Sequence, residues 1–133
     1  MRRITLISTI ALLAVNAMAQ SDSEFQAWMK TAGATMGSLN KNIAAKDGAM
    51  ATADAEKLAA TFKQVEDFWK QRSGADDAVN FAIKAQAAAT TIGKDVSAGN
   101  FDQAPADVKA LQSNCGGCHM AHREGTAGSF KIK

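Results

Sequence analysis

Cys115-Gly116-Gly117-Cys118-His119 is the stretch of this chain whose residue types and spacing could do chemistry beyond packing. The order Cys-x-x-Cys-His is the attachment pattern for a c-type haem. Two thiols can add across the two vinyl groups of a porphyrin, so both sulfurs must meet the same edge of the ring. On a helix, residues three apart share a face, with Cβ atoms about 5–6 Å from each other. The next residue is rotated by about 100°, which lets His119 turn inward toward an iron. Gly116 and Gly117 are expected to clear side-chain bulk where the macrocycle edge approaches. Each weakens the helix by about 1 kcal/mol relative to alanine, a cost that a bound ring would explain.

Other chemistries compete for the same residues. A Cys115–Cys118 disulfide would make no use of His119. A thioredoxin-like redox pair belongs in a βαβ setting, and no strand pattern is visible here. Zinc could recruit Cys115, Cys118 and His122, but all three come from one short segment with no distant fourth donor. Elsewhere there is no inward acid–base pair, nucleophile or phosphate loop, so an enzyme is not expected.

The elements that must position these residues read as helices. Alanine is abundant, tyrosine is absent, proline occurs once, at Pro105, and no alternating β-branched runs occur. The first helix is expected from about Asp22 to Ala45, opened by a capping box of Ser21 and Glu24. Phe25, Met29, Ala32, Met36, Leu39 and Ile43 recur on one of its faces. The second is expected from about Thr52 to Arg72, with Leu58, Phe62, Val65 and Phe68 or Trp69 inward. The third runs from about Asp76 to Ser97, with Val79, Ala82, Ile83, Gln86, Ala89 and Val96 inward. The fourth starts near Ala104, where Pro105 suits a first-turn position, and carries the cysteine motif on to about Glu124. The tail from Gly125 to Lys133 is expected to hang free or pack loosely. Helices of this length span roughly 30 Å, and short connections force antiparallel neighbours. The expected fold is all-α, an antiparallel up-down-up-down four-helix bundle in residues 20–133.

The first nineteen residues read differently. Arg2 and Arg3 precede an apolar run over Ile4 to Val15, and Ala17-Met18-Ala19 supplies a small-x-small cleavage site. Residues 1–19 are therefore expected to be a cleavable export signal, too short for a permanent membrane span. Removing Arg2 and Arg3 from the 15 basic residues leaves a balance with the 13 acidic ones. That balance gives no support for nucleic-acid or anionic-membrane binding, and no stable membrane insertion is expected after cleavage. Export to the periplasm or beyond fits the motif, since covalent attachment of a c-type haem takes place outside the cytoplasm.

A haem motif closing the last of four helices, followed by His122 and Arg123, resembles the class II c-type cytochromes, the cytochrome c-prime group and its low-spin relatives. The resemblance spans most of residues 20–133 as a pattern, and its specific motif is Cys115 to Arg123. It implies one haem c held between the helices by Cys115 and Cys118, His119 as proximal iron ligand, and Arg123 near the motif. It also implies redox protein partners and a possible homodimer formed through the first two helices. Low-spin members place a methionine on the first helix as the sixth ligand, and Met29 matches that position. A thioether ligand would raise the potential relative to two nitrogen ligands. Met36, one heptad on, is the alternative donor, and methionine on such a face also serves as packing. The expected function is electron transfer; a five-coordinate protein binding nitric oxide or carbon monoxide is the alternative. The chain departs from the pattern at Phe25, where many members carry a basic residue. Trp28 and Trp69 are candidates to pad the haem edge, or are ordinary core. His122 and Met120 share a helix with His119 and cannot reach the opposite face of the ring.

Overall fold

The computed structural model describes residues 20–133; the expected export signal lies outside them. Four helices follow one another: α1 (Asp22–Ala44), α2 (Gly48–Lys70), α3 (Asp76–Ser97) and α4 (Ala104–His122). The connections are short, residues 45–47, 71–75 and 98–103. The all-α expectation holds for the bulk of the chain. Among the described residues, no helix is long and apolar enough to cross a membrane.

The helix ends follow from local chemistry. Ser21 Oγ accepts from the Glu24 N–H at 3.3 Å while the Glu24 carboxylate accepts from the Ser21 N–H at 2.7 Å, so the anticipated capping box forms. α2 begins at Gly48 rather than near Thr52, because Asp47 caps it by accepting from the Met50 N–H at 3.0 Å. Pro105 sits in the first turn of α4, as its sequence position predicts. α4 stops at His122 rather than near Glu124, and Arg123 is already extended.

Contacts between helix ends establish the antiparallel order. Asp22 at the start of α1 pairs with Arg72 just past α2. Asn42 near the end of α1 bonds Asp54 in the first turns of α2 at 2.7 Å. His122 at the end of α4 meets Asp77 at the start of α3 at 2.9 Å. One end of the molecule therefore gathers the start of α1, the end of α2, the start of α3 and the end of α4.

Packing between the helices is uneven. Leu39, Leu58, Phe68, Ile92, Val96 and Leu111 are fully buried, each contributing about 1.5–3 kcal/mol by leaving water. Ala51, Ala55, Ala85 and Ala89 are also buried, and small side chains let α2 and α3 lie close. Consecutive helices pack on one another, whereas α1 and α4 hardly touch. Ile83, expected inward, is 44 % exposed, while Ala78, Ala85 and Ile92 are buried in its stead. The buried face of α3 is thus turned slightly from the predicted stripe. Among the described residues one charge is buried: the Glu66 carboxylate accepts from the Gln86 amide at 2.6 Å and pairs with Lys70.

The tail corrects the sequence expectation. Arg123–Glu124 (β1) pairs antiparallel with Lys131–Ile132 (β2), making a hairpin folded back on the end of α4. Gly125 makes the reversal possible. Its φ is +93°, and a Cβ there would lie 2.7 Å from the Ser129 carbonyl oxygen. Lys133 pins the hairpin, donating from its N–H to the His122 carbonyl and from Nζ to the Met120 carbonyl, both at 3.0 Å.

Candidate functional site

Where α1 and α4 stand apart lies a cavity of about 940 Å³, at the upper end of the range for small-molecule and cofactor sites. α1 contributes Phe25, Met29 and Met36, three half-buried members of its apolar stripe that pack on the core and border this space. α2 supplies Phe62, Val65 and Trp69, and α3 supplies Phe81, Ala82 and Ala85. Cys115, Gly116, Cys118 and His119 form the α4 wall. The remaining wall is the hairpin, through Phe130, Lys131 and Ile132. A smaller concavity of about 230 Å³ between α2 and α3 carries no cysteine, histidine or methionine.

The two cysteines are not bonded to each other. Burial pushes the Cys115 thiol up, and burial together with nearby Asp77 and Cys115 pushes Cys118 up to about 11. Both are therefore protonated thiols near neutral pH, the reverse of the depressed values that activate a redox or nucleophilic cysteine. Burial, with Arg123 close by, holds His119 below the ordinary histidine value. Its imidazole is neutral near pH 7 and keeps a lone pair for a metal.

The structure brings Cys115, Cys118, His119 and Met29 to one cavity, and Met36 with them. His122 also reaches the wall, but its Nε2 is engaged by Asp77 and its ring lies 4.8 Å from that of Trp69. Met120 points away, 79 % exposed. Trp69 lines the cavity, whereas Trp28 packs on Phe68 with ring centroids 6.4 Å apart. Arg123 lays its guanidinium over the Phe130 ring at 4.0 Å.

The two motif glycines have different roles. A Cβ at Gly116 would meet nothing within 4 Å, and Gly116 borders the cavity. A Cβ at Gly117 would lie 2.6 Å from the Phe81 ring, so this glycine makes room for α3, correcting the expectation that both clear space for a ligand. Phe81 and the hairpin are the wall residues that sequence reading overlooked. Phe81 is the aromatic of α3, and the Gly125 and Gly128 pair around Thr126-Ala127 signals a turn before Phe130-Lys131-Ile132.

The chemistry of this donor set can be stated from the residues. Among the described residues, no group of three His, Cys, Asp or Glu side chains is placed to hold a bare metal ion. Two thiols three residues apart, a neutral imidazole and a thioether bordering one apolar space instead fit a large flat ring attached through sulfur, with its own metal. Trp69 adds a further mark of a missing partner: its indole N–H is buried with no acceptor. Comparison with protein-family models, with curated proteins and with solved structures returned no match.

Proposed function

We propose that this chain is an exported electron-transfer protein holding one c-type haem, with Cys115 and Cys118 as thioether anchors, His119 as proximal iron ligand and Met29 as sixth ligand. The observation that carries this reading is the convergence of all four side chains on one 940 Å³ cavity between α1 and α4. The bound iron would supply a one-electron exchange between ferric and ferrous states.

The chain's own residues do the rest. Burial keeps both thiols protonated, so they are not lost to oxidation or metal capture before attachment. His119, already neutral, presents a nitrogen without first releasing a proton. Phe25, Phe62, Val65 and Phe81 line the space with carbon and exclude water from the metal. The helices on either side are fixed by α2 and α3, whose tight packing resists rearrangement on a change of charge. Such a scaffold suits fast transfer to redox partner proteins.

Expression in a host that matures c-type cytochromes tests the reading. The denatured protein should keep covalent haem, shown by mass and by a red band after electrophoresis, and Cys115→Ala with Cys118→Ala should lose it. Low-spin spectra in both redox states, unchanged by carbon monoxide, are expected. A colourless product at bare polypeptide mass would end the proposal; high-spin spectra that shift with carbon monoxide would replace electron transfer by gas binding.

A further inference from the structure

The cavity wall has an unbalanced charge. Lys30, Arg123 and Lys131 border it, and no described aspartate or glutamate does. Among the described residues, the ion pairs engage Lys63, Lys70, Arg72 and His122, and none of the three wall cations. Glu124 stands across the hairpin from Lys131 in register, yet no ion pair forms between them. The buried indole N–H of Trp69, on the same wall, also has no acceptor. Phe25, at the start of α1, offers no charge and stacks on Phe68 at 4.5 Å. The three cations are solvent-exposed and the lining itself carries no carboxylate, Asp77 standing behind His122, so the space suits an occupant that brings anionic oxygens.

We infer that the C-terminal hairpin is the carboxylate-binding wall of this site, with Lys131 and, from α1, Lys30 neutralising the two carboxylates of the haem. This rests on the haem reading above. The backbone at Lys131 is held in place, since it pairs with Glu124, its neighbour Ile132 packs on the core and Lys133 ties the strand to the last turn of α4. Arg123, committed to the Phe130 ring, adds positive potential behind it. The hairpin therefore completes the site and is not a loose extension of the bundle.

The test uses the haem-bearing protein and follows the reduction potential with pH. A carboxylate beside a cation ionises more easily, and losing that cation raises its pKa by about 1 unit or more. Lys131→Gln should move the inflection of the potential–pH curve upward by that amount, and Lys131→Arg should restore it. Lys30→Gln should act in the same direction. Lys109→Gln, the same charge change on an exposed part of α4, should leave the curve in place. The other titratable groups on the wall are His119 and His122, with Asp77 bonded to His122; they are untouched in every variant. Covalent haem in all variants with superimposable curves for wild type and Lys131→Gln would overturn the inference and leave the haem reading standing. A wild-type chain without haem by mass would overturn both.

Discussion

Gly117 lies under the ring of Phe81, so closely that a Cβ on it would sit 2.6 and 2.8 Å from two ring carbons. Helix α4 approaches α3 this closely at the cysteine motif because glycine stands here; a β-carbon would have to displace the Phe81 ring. Phe81 also borders the cavity, so the direction in which its ring can yield is into that space. Gly117→Ala is expected to gain about 1 kcal/mol of helix propensity while driving the ring into the space the proposed haem would fill, so covalent haem yield should fall several-fold with little loss in the melting temperature of the haem-free chain. Adding Phe81→Ala should restore the yield. Gly116→Ala, with nothing within 4 Å, should change neither. Haem content by absorbance per polypeptide checks all three; equal yields for the two alanine variants would refute the assignment.

Met29 and Met36 both border the cavity from α1, and they make separable predictions. Met29→Ala should convert low-spin spectra to high-spin, abolish the sulfur-to-iron charge-transfer band and admit carbon monoxide. Met36→Ala should keep the low-spin spectrum and lose about 1 kcal/mol of stability from the missing packing. Absorption spectra in both redox states decide the matter. The opposite pattern would move the sixth ligand one heptad along the helix.

Glu66 predicts how the protein responds to acid. Its carboxyl is held below the ordinary value of 4.5 first by the Gln86 amide and then by Lys70, at a buried site between α2 and α3. Because the folded value is the lower one, this contribution is complete above pH 4.5 and is lost as pH falls through the folded value. Asp77, lowered by its bond to His122, works in the same direction from the surface. Glu66→Ala should cost about 1–2 kcal/mol at pH 7, since it removes the short bond of the Gln86 amide and leaves it only the long ones to the Phe62 and Ala82 carbonyls. Denaturant midpoints for Glu66→Gln should fall less between pH 7 and pH 3 than those of the wild type. A wild-type midpoint that does not change across that range would contradict the role given to this carboxylate.

How much of this was legible in the sequence depends on what each residue answers to. Ser21 with Glu24, Pro105 and the stripe of α1 obey local rules, and the structure follows them. The cysteine motif could be placed on α4, but that Met29 shares its cavity is a product of tertiary packing, since α1 and α4 are distant in sequence and hardly touch. Ile83 was misplaced because α3 is so rich in alanine that small residues on two adjacent faces fit the same period. The hairpin was missed because its strands are two residues each, too short for alternation to register. Its signals were Gly125 and Gly128, whose positive φ values belong to turns. Gly117 was legible as a glycine but not as one facing Phe81, a contact between helices that no spacing rule encodes.

The thiols give a test that needs no haem. At pH 8 a cysteine of ordinary pKa 9.0 is about one-tenth thiolate, whereas one pushed up to about 11, as Cys118 is, has about one part in a thousand. Alkylation proceeds through the thiolate, so haem-free folded protein should react at Cys118 about 100-fold more slowly than the same chain in denaturant. Cys115, raised by burial alone, should be slowed in the same sense. Rates measured by mass after iodoacetamide treatment, from pH 7 to 10, should still be rising at the alkaline end for Cys118. A fast reaction levelling off below pH 9 would mean an activated thiolate, which is the mark of a redox pair and not of a side chain waiting to be capped by a vinyl group. Asp77 offers an internal control: its charge helps raise Cys118, so Asp77→Asn should speed alkylation at that residue and leave Cys115 as it was.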